Sequence, residues 1–192
     1  FLRTIPGTIR GAIAMNAGCY GNYIGDYVQS IEGVDKSGRI ICVSRRNLQF
    51  KYRSSRLPKN FIVTSAIVKP KRDKKSVIEE KMKEMLSKRE ETQPTKQATC
   101  GSTFKNPDGK SSLILEDSID SKAWRFIDRA GLRGKKMGRA MVSEKHPNFL
   151  INLGGATAEE MEKLGEYVRK SVYEKYKVSL DWEVIRVGRK KD

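Results

Sequence analysis

The sequence predicts an α+β fold in two lobes, and three observations carry that reading. Short apolar runs of strand character and longer repeats of helical spacing are mixed along the chain without a regular β–α alternation, which argues against a doubly wound parallel sheet. A polar connector containing Pro94, from Thr92 to Thr99, separates residues 1–93 from residues 94–192. No segment repeats another, so a solenoid or propeller is not expected.

Each element has its own local signal. Residues 1–26 are dense in Gly, Ala and Asn, notably Ile5-Pro6-Gly7-Thr8-Ile9-Arg10-Gly11-Ala12 and Asn16-Ala17-Gly18-Cys19-Tyr20-Gly21. Such small residues let a backbone approach a ligand or another backbone, or simply turn tightly around a short helix. Tyr27 to Val34 and Arg39 to Val43 read as strands joined by the turn Asp35-Lys36-Ser37-Gly38. Ser44 is placed to cap a helical turn leading to Tyr52-Arg53. Phe61 to Val68 reads as a buried strand, ended by Pro70 and a basic run. From Ser76 to Arg89, Ile78, Met82, Met85 and Leu86 recur at helical spacing among charges, an amphipathic helix.

Beyond the connector, Cys100 to Pro107 leads into a polar, loose stretch ending near Ser118. Ser121 suits the N-cap of a helix through Ala130, with Gly131 as its stop. Ala140 to Val142 and Phe149 to Leu153 read as short strands. Thr157 and Glu160 form a capping box for a helix to about Lys177, with Met161, Leu164, Val168 and Val172 on one face. Leu180 to Val187 reads as a final strand before a basic tail.

Composition removes several classes of function. The 192 residues carry 39 Lys and Arg against 23 Asp and Glu, a formal net charge of +16. That balance points to an anionic partner, yet many charges sit in mixed runs such as Glu79-Glu80-Lys81, the pattern of a solvated surface. A basic nucleic-acid-binding module is an alternative that no RNA or DNA signature supports, so no specific nucleic acid is expected. No apolar run approaches the roughly 20 residues of a membrane span. Cys19, Cys42 and Cys100 show no C-x-x-C spacing, and His146 is the single histidine, so no metal site is expected and the thiols read as reduced, as in a cytoplasm. The chain opens on Phe1, and Ile9 to Ile13 is too broken by Arg and Gly for a signal-peptide core. It therefore reads as starting inside a longer protein.

Three groups of residues, in this order, resemble one family. The first is Ile5-Pro6-Gly7-Thr8-Ile9-Arg10-Gly11-Ala12 with Asn16-Ala17-Gly18-x-Tyr20-Gly21. The second is Tyr52-Arg53-x-Ser55 with Gly101-Ser102-x-Phe104-Lys105-Asn106-Pro107. The third is Ser143-Glu144-Lys145-His146-x-Asn148-Phe149-x-x-Asn152, then Ala156-Thr157-Ala158 and Trp182-Glu183-Val184. Together they resemble the UDP-N-acetylenolpyruvoylglucosamine reductases, in the short form that lacks an extra substrate-covering loop. The resemblance implies a two-lobed FAD domain of the vanillyl-alcohol-oxidase type followed by an α+β substrate-binding domain. Residues 1–93 would be the second FAD lobe and 94–192 the substrate domain. Nothing here matches the glycine-rich loop of the family's first lobe.

The implied activity belongs to peptidoglycan precursor synthesis in the bacterial cytoplasm, with FAD and NADPH as cofactors and a monomeric enzyme. UDP-N-acetylglucosamine enolpyruvate is reduced at C3 of its enolpyruvyl ether and protonated at C2. Negative charge develops on C2 and the adjoining carboxylate, which calls for a cation and a nearby proton donor. The resemblance assigns Arg53 to the carboxylate, Ser102 to the proton for C2, and Glu183 to assisting that protonation. It assigns Tyr52, Lys105, Asn106 and Lys145 to the substrate, and Pro6, Gly7, Thr8, Gly11, Ala12 and Asn16 to the flavin. His146 is expected to be structural. Read without the resemblance, Arg53 is a surface arginine, Gly101-Ser102 a turn and Glu183 a strand-edge carboxylate.

Two family glycines are arginine here, Arg10 and Arg139. A positive φ at either position would be costly, and this, together with the absent glycine-rich loop, motivates the alternative of an inactive fragment or decaying copy that does not bind FAD.

Overall fold

The computed structural model describes residues 1–110 and 121–188. Most of the stretch expected to be loose, and the end of the basic tail, lie outside these residues. The chain divides into two compact units, residues 1–88 and, from Arg89, the remainder of the described chain. Sheets and helices occur side by side in both, an α+β fold.

In the first unit, a 3₁₀ turn at Leu2–Thr4 precedes helix α1, Ile9–Ala14. Thr8 caps α1, its hydroxyl accepting the Gly11 N–H at 3.1 Å. A small antiparallel pair, β1 (Gly18–Cys19) and β2 (Asn22–Tyr23), follows. Strands β3 (Val28–Val34), β4 (Ile40–Ser44) and β5 (Ile62–Val68) then form an antiparallel sheet in the order β4-β3-β5. The β3–β4 turn is held by Asp35, whose carboxylate accepts the Ser37 and Arg39 N–H groups and the Arg39 guanidinium. Ile13, Ile24, Val28, Ile31, Val43, Leu48 and Val63 make the core.

Three expectations need correction in this unit. Ser44 stands at the N-cap of the short helix α2, Arg45–Leu48, but its side chain makes no capping bond and its hydroxyl is buried without a partner. β5 is not a buried strand. It lies at a sheet edge, only Val63 of it is buried, and Ile67 is 65% exposed. Helix α3, Lys75–Thr92, forms where its periodicity puts it, yet buries no residue fully. Met82, Met85 and Leu86 are only half-covered, because charges interrupt the apolar stripe.

The second unit holds a four-stranded antiparallel sheet, with β6 (Ala98–Ser102), β7 (Lys136–Met137), β8 (Ala140–Val142) and β9 (Phe149–Asn152) in the order β6-β9-β8-β7. Helices α4 (Ala123–Arg129) and α5 (Ala158–Tyr176) pack with it. The capping box of α5 is complete: Glu160 N–H donates to Thr157 Oγ1 at 3.1 Å, and Thr157 N–H to the Glu160 carboxylate at 2.9 Å. Leu164, Val168 and Val172 are fully buried. Each contributes roughly 1.5–3 kcal/mol relative to an exposed side chain.

Here too the structure departs from the pattern-based reading. β6 occupies a segment too polar and too rich in small residues to announce a strand. The N-cap of α4 is Lys122, without a side-chain cap bond, while the Ser121 hydroxyl donates instead to Asp108. Gly131, at φ +75°, follows the end of that helix as expected. The final strand does not form: the segment contributes one isolated bridge, Phe104 opposite Trp182, and Ile185 and Val187 beyond it are exposed. Without a continuous partner edge, apolar alternation alone does not make a strand.

Candidate functional site

In the first unit, the small-residue segment and the Tyr52-Arg53 segment are tied together. Pro6, Gly7, Thr8 and Gly11 are exposed. Gly7 has φ +127° with open space where a Cβ would stand, so this backbone can lie against a ligand. Ala12 is half-buried against the core. Asn16 is buried and has φ +42°. Its Nδ2–H donates to the Lys51 carbonyl at 3.0 Å, and its Oδ1 accepts the Gly25 N–H at 3.0 Å. The side chain thus braces the protein from within.

The Lys51 carbonyl closes a tight hairpin. Lys51 and Ser54 exchange N–H···O bonds at 3.0 and 3.2 Å, and Tyr52 and Arg53 form its tip. Arg53 holds φ +53°, rare for a residue with a Cβ. Its guanidinium lies 4.9 Å from the Tyr52 ring centre and donates to the Gly18 carbonyl at 3.3 Å. Ser55 Oγ–H reaches the Ala14 carbonyl at 3.2 Å. A strained tip held by a buried asparagine is an arrangement often found where a side chain must be aimed.

The two arginines that the resemblance sets against glycines do not carry the strain of a positive φ. Arg10 lies inside α1, exposed, and Arg139 is exposed beside β8; neither has a positive φ. Arg139 donates to the Gly154 carbonyl at 3.1 Å.

In the second unit, Ser102 and Glu183 come to one neighbourhood although far apart in sequence. Ser102 ends β6, opposite Phe149, after Gly101 at φ +86° and a register irregularity. The next carbonyl, that of Thr103, accepts the Glu183 N–H at 2.8 Å. Both side chains are partly exposed. Lys105 is half-buried and its N–H donates to the Asp181 carbonyl at 2.8 Å. Asn106 donates to the Lys110 carbonyl at 2.7 Å and accepts the Ala123 N–H at 3.2 Å, fixing the loop that follows Lys105. Lys145, exposed, directs its ammonium to the Glu90 carbonyl.

His146 packs against the rings of Trp124 and Phe149 at 6.1 and 4.8 Å. Burial, reinforced by the nearby Arg133 charge, lowers its pKa to about 4. The ring is therefore neutral near pH 7, and its Nδ1 accepts the Asn148 N–H at 3.3 Å.

Two buried polar groups escape sequence reasoning. Asn148 pairs with the backbone of Phe104, and Lys122 forms an ion pair with Asp108 at 2.8 Å. Asn148 stands inside a recognised motif, but nothing in composition distinguishes a buried asparagine from a turn residue. Lys122 has no sequence signal. Among the described residues, no group of acidic, histidine and cysteine side chains is arranged to hold a metal ion, and no helix is long and apolar enough to cross a membrane.

Comparison with known proteins adds a family. The profile described as UDP-N-acetylenolpyruvoylglucosamine reductase, C-terminal domain, matches residues 93–187. Proteins named UDP-N-acetylenolpyruvoylglucosamine reductase from Dinoroseobacter shibae and Paracoccus denitrificans are each 50% identical, over 189 and 190 residues, or 98% of this chain. A solved UDP-N-acetylenolpyruvylglucosamine reductase from Thermus caldophilus resembles it with a TM-score of 0.77 and 35% identity over 95% of this chain. The chain spans 62% of the length of each of these three proteins.

Proposed function

The chain belongs, through residues 93–187, to the C-terminal domain family of the UDP-N-acetylenolpyruvoylglucosamine reductases, and from that premise we propose that it serves an NADPH- and FAD-dependent reduction of UDP-N-acetylglucosamine enolpyruvate to UDP-N-acetylmuramate. In this reading residues 1–93 are the second FAD lobe and 94–192 the substrate domain, acting as a monomer in the bacterial cytoplasm.

The exposed backbone around Gly7, with no atom where its Cβ would stand, fits a flavin lying along residues 6–12. Pro6, Gly7, Thr8, Gly11 and Ala12 would hold it, with Asn16 bracing the segment beneath. Bound FAD would supply hydride transfer from NADPH to C3 of the enolpyruvyl ether.

The protein's own residues would do the rest. Arg53 offers a planar fork that holds the substrate carboxylate in two hydrogen bonds and offsets the charge that grows there. Ser102 Oγ–H gives a proton to C2, a strong base at that moment, and solvent returns the proton to the hydroxyl. Glu183, as an acid, assists the same protonation. Tyr52, Lys105, Asn106 and Lys145 bind the UDP-sugar, the lysines through the diphosphate charge.

The observation that most supports this reading is the Glu183-to-Thr103 backbone bond, because it brings Glu183 beside Ser102, the residue before Thr103, and the resemblance alone selected that pair. The decaying-copy alternative loses one of its motives, since neither Arg10 nor Arg139 occupies a positive φ.

The test starts with the visible spectrum of the purified chain after incubation with FAD and removal of free cofactor. A retained flavin band is expected. Ser102→Ala should then leave flavin reduction by NADPH unchanged and slow reoxidation by the enolpyruvyl substrate. A colourless protein, or equal loss in both half-reactions, would count against the proposal.

A further inference from the structure

Phe104 is buried, 1% exposed, so its backbone N–H and C=O have no access to water and must find partners within the protein. In the bridge to Trp182 it occupies the position whose own polar groups point away from the partner strand. The flanking bonds are Lys105 N–H to Asp181 O and Glu183 N–H to Thr103 O, both 2.8 Å. On the other edge, where a further strand would normally lie, stands one side chain. Asn148 Oδ1 accepts the Phe104 N–H at 3.0 Å, and Asn148 Nδ2–H donates to the Phe104 carbonyl at 2.9 Å. A carboxamide presents a carbonyl acceptor beside an N–H donor in the spacing of a peptide group, so it substitutes for a strand.

Asn148 is itself fixed. It is 3% exposed, its carbonyl accepts the Thr103 N–H at 2.8 Å, and its N–H is held by His146 Nδ1. Thr103 Oγ1 adds a bond from the Leu150 N–H at 3.2 Å. The Thr103–Phe104 backbone is therefore clamped between β9 and Asn148 on one side and the Glu183 segment on the other.

We infer that Asn148 is a positioning residue for the Ser102–Glu183 pair: its buried carboxamide holds the strand edge from which Ser102 projects and onto which Glu183 is hydrogen-bonded. The functional half of this inference rests on the roles proposed above for those two residues. The structural half does not.

Hydrogen exchange read by NMR on the 192-residue chain tests the structural half. Asn148→Asp keeps the shape and loses the donor. The Lys105 and Glu183 amides should exchange at least about tenfold faster, as expected when a buried partner is lost. The Val168 and Val172 amides of α5 should be little changed. An unaltered Glu183 amide, or equal acceleration throughout the unit, overturns the inference. Should the variant not fold, the wild-type protein decides: in graded urea the Phe104, Lys105 and Glu183 amides should open as one unit, and independent openings overturn it.

In the FAD-loaded protein, Asn148→Asp should slow reoxidation by substrate at least about tenfold while reduction by NADPH stays within about twofold. Altered exchange with unaltered reoxidation removes the functional half. Unaltered reoxidation in Ser102→Ala strikes the proposed function instead, and leaves the exchange result standing.

Discussion

Replacing Lys122 by methionine should destabilise the second unit by roughly 2–4 kcal/mol at pH 7, and the loss should shrink in acid. The Lys122 side chain is 2% exposed, and its ammonium donates to Asp108 Oδ2 at 2.8 Å and to the Lys110 carbonyl at 3.4 Å. Asp108, 19% exposed, also receives the Ser121 hydroxyl and the Lys110 N–H. Breaking a buried pair on one side costs about 3–5 kcal/mol, and the partial exposure of Asp108 reduces that figure. Methionine keeps the volume, so the change removes charge without opening a large cavity.

The pH dependence follows from the carboxyl. Burial pushes the Asp108 carboxyl up, but the bonds from Lys122, Lys110 and Ser121 outweigh it and hold it below the usual carboxylate range. A depressed folded pKa contributes stability that is present above about pH 4 and is lost as pH falls through the folded value. Without Lys122 its hydrogen bond and its charge no longer hold the carboxyl down, so the carboxyl of the variant protonates at higher pH. The difference between the two proteins should therefore be smaller at pH 3 than at pH 7. Both tryptophans, Trp124 and Trp182, lie in this unit, so urea unfolding followed by their fluorescence reports on it directly. A loss below about 1 kcal/mol at pH 7, the range of an exposed pair, would refute the reasoning. So would a loss that does not change with pH.

Two further substitutions probe packing and backbone. Gly165→Ala puts a Cβ 2.0 Å from the Trp182 ring, and the overpacking should cost about 1–3 kcal/mol in urea unfolding despite alanine's better helix propensity. Arg10→Gly should weaken the first unit by up to about 1 kcal/mol, because Arg10 is helical rather than strained; a rise in thermal stability by calorimetry would show that the arginine is the misfit.

Local chemistry settled much of this protein before any tertiary contact was known. The capping box of Thr157 and Glu160, the stripe of Leu164, Val168 and Val172, and the Asp35 turn between two strands are interactions within a few residues, so the sequence displays them. The order of the motifs displayed the family as well. Tertiary structure decided what depends on a distant partner. The segment from Leu180 alternates like a strand, but only Trp182 finds a bridge, opposite Phe104, because alternation does not supply a continuous partner edge. β5 reads as buried and lies at an edge, since strand-forming residues do not specify how many neighbours the strand will have. The φ values of Arg10 and Arg53 were equally invisible. One is helical and ordinary, and the other is left-handed because buried Asn16 holds the base of its hairpin. A residue type constrains which backbone conformations are cheap, but the choice among them is made by groups that folding brings in from elsewhere in the chain.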